Sequence, residues 1–418
     1  MQTPHLVFVF SRLQLWWRSL AALVLVAAVA ACGGGAGSTV SGVNTGGTGS
    51  FTSGSISGFG SVIVNGVRFD DSAAAVKEED GDDARELKLG MMVAVNGSAI
   101  SASSTATAST ITFVSELEGA IEPGRTTDSF VVHGVKVLIT KTTMCDVGTS
   151  TNTSTGCASL KTGDIVEVYG SFAASSAAPT ATLTATRIEL QKAPAFMKLR
   201  GAISNLNTAS KTFNIGTQTA TVTYAGIAAS VPASLTNGLV VRVKVKSTPS
   251  TATATLGSWE AVRIKVPGER KLEDRDEAKI EGRITVAIDA SKTFSVNGLK
   301  VDASNASLPA GGTASLVLGA QVKVEGIIVN GVLVARKVKL EEENENPEGN
   351  NELHGTPTAL DTAAKTFTLR GVTVDYASAR FDKVTLADFA NPKLVIEVKG
   401  SLSADGSKVI AKVIKLDN

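Results

Sequence analysis

Aromatic residues make up only 5% of this 418-residue chain, and histidine and cysteine each occur three times. Ligands that stack on flat rings usually meet several aromatics, so sugars and bases held by stacking are disfavoured. The formal net charge is +1, which gives no basic field to attract nucleic acid and no acidic excess. Glycine-rich fingerprints for phosphate or dinucleotide binding are missing. So are the Gly-x-Ser-x-Gly elbow and the Ser-x-x-Lys pair, which removes the commonest serine-hydrolase chemistry. The apolar run Leu20 to Ala31 is shorter than the roughly 20 residues that span a bilayer.

That run does have the length of a secretory signal. Arg12 and Arg18 precede it, and it ends in small residues suited to cleavage. Val29-Ala30-Ala31-Cys32 resembles the lipobox of bacterial lipoproteins, in which the cysteine takes the lipid and becomes the new N-terminus. The resemblance implies a signal peptide over 1–31, lipidation at Cys32 and contact with the membrane through that lipid. Gly33, where Asp often marks inner-membrane retention, favours the outer membrane. An ordinary secreted protein with a coincidental cysteine is the alternative. The Gly/Ser-rich stretch that follows Cys32, to residue 50, carries no charge and reads as a tether with a reach of roughly 23 Å. Removal of 1–31, with its two arginines, turns the net charge of +1 into −1.

Beyond the tether the chain repeats itself. LEGAI (117–121), LRGAI (199–203), IEGRI (280–284) and LHGTP (353–357) are versions of one opening, each followed by a Phe-centred strand. A first copy begins at Gly54 with a shortened opening. A second segment recurs as LGMMVAVNG (89–97), TGDIVEVYG (162–170), NGLVVRVKV (237–245), LGAQVKVEG (318–326) and NPKLVIEVKG (391–400). The third copy ends in Val245 instead of glycine, and the fifth carries Pro392 where the others have glycine. The opening glycines at 54, 119, 201, 282 and 355 are spaced by 65, 82, 81 and 73 residues, the size of small domains and not of solenoid rungs.

Apolar residues alternate within each unit, the period of half-buried strands. Asn65-Gly66, His133-Gly134, Asn297-Gly298 and Arg370-Gly371 occupy the place where a tight hairpin needs positive φ. Five or six short strands in about 70 residues are too few for a sandwich of usual size, whereas closure into a barrel removes unpaired edges. The expected fold is therefore all-β: five tandem small barrels, OB-like, over 51–116, 117–192, 196–267, 278–340 and 352–418. The charged stretches 267–279 and 341–352 read as solvated linkers, which predicts that the last two units fold alone while the first three pack together.

With GFGSVIVNGVRF (58–69) followed by LGMMVAVNG, the first unit resembles the domain-of-unknown-function family 5666. That likeness extends over 54–418, strongest in the first unit and loosest in the third. It implies tandem β-units on an envelope lipoprotein, and it brings no activity and no catalytic residues.

Few residues suggest chemistry. Cys145 and Cys157 lie twelve positions apart in a Ser/Thr/Gly-rich loop, and an oxidising compartment favours their disulfide. A metal site is the alternative, though no histidine lies near to complete it. Glu78, Glu79, Asp80, Asp82 and Asp83 surround Gly81 as hard oxygen donors that could hold calcium, or simply form a solvated acidic loop. His133 and His354 stand where other units carry Asn, Arg or Glu, so neither place demands an imidazole. No catalytic residue, no cofactor and no nucleic-acid partner is expected. The reading is a non-enzymatic scaffold or adhesive protein of the cell envelope, and the alternative is a binder of a small ligand or glycan through barrel loops.

Overall fold

The computed structural model describes residues 49–79, 85–148, 156–173, 181–216, 221–247, 258–267, 272–341 and 351–417. The signal peptide, Cys32, most of the tether, Asp80, Asp82, Asp83 and the centres of both charged linkers lie outside these residues.

The chain is all-β. In the first unit Ser50–Phe59 pairs antiparallel with Val62–Val64, which pairs with Val67–Asp70. Val67–Asp70 runs parallel to Thr105–Phe113, which pairs antiparallel with Met92–Gly97. Met92–Gly97 returns to Ser50–Phe59 and closes a five-strand barrel. The same order of pairing recurs in residues 117–190, closed there by a single bridge between Ile121 and Val132. It recurs again in 196–265 and in 275–340. In residues 351–416 the opening strand is split into Asn351–Gly355 and Thr358–Asp361, and the order is kept.

Alternation fills each interior. Along Gln321–Val329, Val322, Val324, Gly326 and Ile328 are buried while the residues that alternate with them are not. Phe130, Phe213, Phe294 and Phe367, each at most 1% exposed, occupy the equivalent place in four units. Burying a side chain of this size stabilises by roughly 1.5–3 kcal/mol.

The glycine pattern has a steric cause. Asn65, His133, Asn297 and Arg370 adopt φ of 51°, 48°, 48° and 52°, and each folds back over the opening glycine of its own unit. A Cβ on Gly54, Gly119 or Gly282 would overlap that side chain. In the third unit Gly201 meets the backbone of Gly216 instead. The second glycine of the repeat sits at a β-bulge: Gly97, Gly170, Gly326 and Gly400 lie so close to the facing strand that a Cβ would strike its carbonyl oxygen. Val245 stands at the corresponding bulge of the third unit.

The last two units are joined to the first in the folded chain. Ser50–Ser53 pairs parallel with Glu277–Ile280 of the fourth unit, and Gly58–Phe59 pairs parallel with Glu352–Leu353 of the fifth. Leu353, Phe367 and Ile396 share one apolar cluster with Ile56, Phe69 and Val95 of the first unit. Gly58 and Gly60 permit this approach, since a Cβ on either would overlap the Glu352 carbonyl or the His354 side chain. The stretches 267–279 and 341–352 fail to separate the units because their C-terminal ends are themselves strand, and Glu277–Lys279 and Glu352 pair with the opening strand of the first unit. The second and third units also join, through Glu118 paired with Lys198.

Candidate functional site

Most buried charge lies at the junctions between units. Lys198, 1% exposed, donates to Glu78, to the Ser115 hydroxyl at 2.5 Å and to Glu167 at 3.0 Å. Ser115 in turn donates to Glu167 at 2.7 Å, and Arg85 reaches the other oxygen of Glu167 at the same distance. Glu78 and Glu79, read as calcium donors, thus face inward. Glu78 meets Lys198, and Glu79 accepts from Arg242 at 2.7 Å. Asp80, Asp82 and Asp83 of that set lie outside the described residues. Arg200 pairs with Glu116, so three units meet in one charged layer.

Electrostatics divides the two central carboxylates. Burial raises the Glu167 pKa, but Lys198 and Arg85 outweigh it and hold the group at about 2. Glu118 is pushed up to about 7 by burial and by the charge of Glu167, only partly offset by Lys198 and Arg85. A second network joins the first two units: Arg187 donates to Asp146 and Glu189, each at 2.5 Å, and to the Leu89 carbonyl at 3.0 Å.

The histidines take structural places. His133 Nε2 lies 3.0 Å from the Glu118 carbonyl, its ring edge-on to Trp259, and burial lowers its pKa. His354 lies at the junction of the first and fifth units, between Glu352 and Asp417, 2.8 Å from each. Burial works against its cation, yet those two hydrogen bonds prevail and its pKa is raised. Glu352, His354 and Glu397 come near enough to share a metal ion. Arg68 already pairs with Glu352, Lys399 with both carboxylates at 3.2 Å, and Lys415 with Glu397 at 2.8 Å. Such a donor set is committed to ion pairs.

Cys145 and Cys157 form the expected disulfide, with Cα atoms 5.2 Å apart. It is buried in the core of the second unit, and the Cys145 and Cys157 amides donate to the Gly406 and Asp405 carbonyls of the fifth unit.

A cavity of about 480 Å³ opens where the first, second, fourth and fifth units meet. Ser55, Ser57, Thr184 and Thr186 line it with hydroxyl groups, and Glu281, Arg283, Gln321 and Lys323 line it with charge and an amide. Lys323 lies 3.8 Å from Glu281, and Arg283 donates to the Gly319 carbonyl at 2.6 Å. Burial and the charge of Glu341 raise the Glu281 pKa, with Lys323 opposing. The sequence did not point to this site, because its walls come from segments more than 200 residues apart.

Three stretches of the chain, 118–189, 281–339 and 354–415, match the family described as Domain of unknown function (DUF5666). They fall in the second, fourth and fifth units and support a repeated domain of that family. The first unit, where the likeness reads strongest by eye, is not among the matched residues. No curated protein matches the chain.

Proposed function

We propose that the chain is a non-enzymatic scaffold of the cell envelope, anchored at the outer membrane by lipid on Cys32. In this reading 51–116, 117–192, 196–267, 278–340 and 352–418 are five OB-like barrels built into one rigid body. The observation that carries it is the use of buried charge: Lys198, Glu167, Arg187 and His354 each bind one unit to another. Groups with that role are spent on architecture. Closed barrels also leave no long free edge for unwanted strand pairing. The net charge of −1 expected after processing supports the absence of a nucleic-acid partner, leaving an envelope protein or glycan as the partner class. Replacing Cys32 by Ser should move the protein from the membrane to the soluble envelope fraction. Continued membrane attachment of that variant would refute the anchor.

A second reading is a small-ligand binder, and the inter-unit cavity favours it. Its volume falls within the roughly 300–1,000 Å³ of small-molecule sites. Soaking or titration with small polar compounds tests it directly.

A further inference from the structure

We propose that the open end of the fourth barrel, around Val286, Val317 and Leu318, is a docking surface for a second copy of this chain. The inference goes beyond the scaffold reading and does not depend on the lipid anchor. It comes from comparing one place across the repeat.

That place is fixed by a hydrogen bond that four units share. The amides of Gly90, Gly163, Gly238 and Gly319 donate to the carbonyls of Ile56, Ile121, Ile203 and Ile284, at 2.8 or 2.9 Å. Each bond marks the same end of its barrel. In the second and third units that end is solvated, and its residues suit water. Lys161 and Thr162 precede the glycine of the second, Thr236 and Asn237 that of the third, and all four are exposed. Two residues past the isoleucine stand Pro123 and Asn205, also exposed. In the fourth unit the same places hold Val317, Leu318 and Val286. Val317 is 59% exposed and Val286 57%, the highest values for large apolar side chains among the described residues. Exposed Leu340 joins them, paired with Val322 on the strand that follows Gly319. Four exposed large apolar side chains thus gather at one end, a patch and not the scattered single residues normal on any surface.

The first unit shows what such an end is for. It too carries leucine before its glycine, and that Leu89 is only 2% exposed. The second barrel covers it: Gly90 lies against Thr186, Arg187 and Met144, and Arg187 donates to the Leu89 carbonyl at 3.0 Å. Apolar character at this place is matched by a sister barrel where the chain supplies one. At Gly319 the chain supplies none, since a Cβ there would meet open space.

Charge selects the partner. Segments 284–288 and 303–320, which build the end, carry no charged residue. At the rim Arg283 is turned onto the Gly319 carbonyl, and Lys339 and Glu341 flank Leu340 with opposite charges. An interfacial membrane anchor draws on Lys and Arg beside its apolar residues, and these segments offer none. A surface without charge meets its own copy with no like-charge repulsion, and a twofold contact of one patch with itself closes at two chains. So small a patch falls at the low end of interface sizes, where binding is about micromolar or weaker.

The test is sedimentation equilibrium of the intact chain carrying Cys32→Ser, which removes any lipid from the measurement, over about 1 to 500 µM, a span that brackets a weak dimer. The mean mass should rise from one chain toward two and go no further. Val317→Asp and Val286→Asp should each weaken the dimer roughly tenfold or more, because each puts a carboxylate into an apolar contact. Both places are exposed in the folded chain, so unchanged thermal midpoints show that the variants fold. Thr162→Asp, at the same place in the second unit, should leave the dimer intact. A one-chain mass at every concentration would overturn the second copy as partner; if that monomer then sediments with phosphatidylglycerol vesicles and Val317→Asp does not, the end belongs to lipid instead. A dimer that survives both aspartates, or growth beyond two chains, would equally refute a twofold contact at this end.

Discussion

Replacement of Lys198 by Met removes the one cation that sits between Glu78 and Glu167, and its cost can be reached by two routes. The side chains of Lys198, Glu78 and Glu167 are at most 1% exposed, so neither carboxylate can turn to water when the ammonium is gone. Breaking a buried pair in this way costs roughly 3–5 kcal/mol. The second route is proton linkage. A glutamate held at about 2, against an unfolded value of about 4.3, contributes about 3 kcal/mol once both states are ionised. A depressed acid stabilises above its unfolded pKa and loses that contribution as pH falls through its folded pKa. Wild type should therefore weaken as pH drops from about 4 toward 2, and Lys198→Met, which leaves Arg85 and Ser115 on Glu167, should lose part of this slope together with up to about 3 kcal/mol at neutral pH. Urea unfolding followed by circular dichroism measures both. The triple variant Lys198→Met, Glu78→Gln, Glu167→Gln should recover part of the loss, because it removes both carboxylates that Lys198 neutralised. A loss below about 1 kcal/mol in the single variant would equal that of a surface pair, and would refute the buried junction.

Three further outcomes follow from the same structure. Glu118, raised to about 7, binds its proton more tightly folded than unfolded, so stability should fall as pH rises from about 4 to 7 and then level off; Glu118→Gln should flatten that slope in urea titrations across pH. Removal of the Cys145–Cys157 bond should destabilise the chain by about 3 kcal/mol in the loop-closure estimate, and the intact mass should rise by two protons on reduction; free thiols in the native protein would contradict it. Gly326→Ala should cost roughly 1–3 kcal/mol because the new methyl meets the Val334 carbonyl at the bulge, whereas Val245→Ala, at the same place in the third unit, removes buried methyl groups and creates no such overlap, a contrast that thermal unfolding of the two variants resolves.

The strands, their turns and the disulfide were legible because each depends on nearby residues. Asn65-Gly66 announces a turn with positive φ, and alternation around Phe294 announces which face is buried. The barrel closure was an inference from unit size, and the pairings bear it out in the first unit through the return of Met92–Gly97 to Ser50–Phe59. The junctions were illegible for a physical reason. Parallel pairing of Ser50–Ser53 with Glu277–Ile280 uses backbone groups that every residue carries. Only Gly58 and Gly60 hinted at it, and glycines in a strand suggest close approach without naming the partner. Glu78 illustrates the same limit: beside Glu79 and Asp80 it resembles a solvated loop, yet the fold delivers Lys198 from 120 positions away.

One position within the repeat separates what the units share from what distinguishes them. In Leu-Glu-Gly, Leu-Arg-Gly, Ile-Glu-Gly and Leu-His-Gly, at 117–119, 199–201, 280–282 and 353–355, the apolar residue enters the core and the glycine admits the hairpin turn or its backbone. Both are dictated by the barrel, so they persist from unit to unit. The residue between them points the other way, as strand alternation requires. It is Glu118, facing Lys198 across the second and third units; Arg200, paired with Glu116; Glu281, on the cavity wall; and His354, set against Arg68 of the first unit. Each therefore stands at a junction or on the cavity wall, and their charges differ. A repeat that varies at this outward place can keep one barrel while specifying which neighbour each barrel meets. The histidine that looks most like a catalytic residue from its side chain is, by its place in the repeat, one of these junction residues.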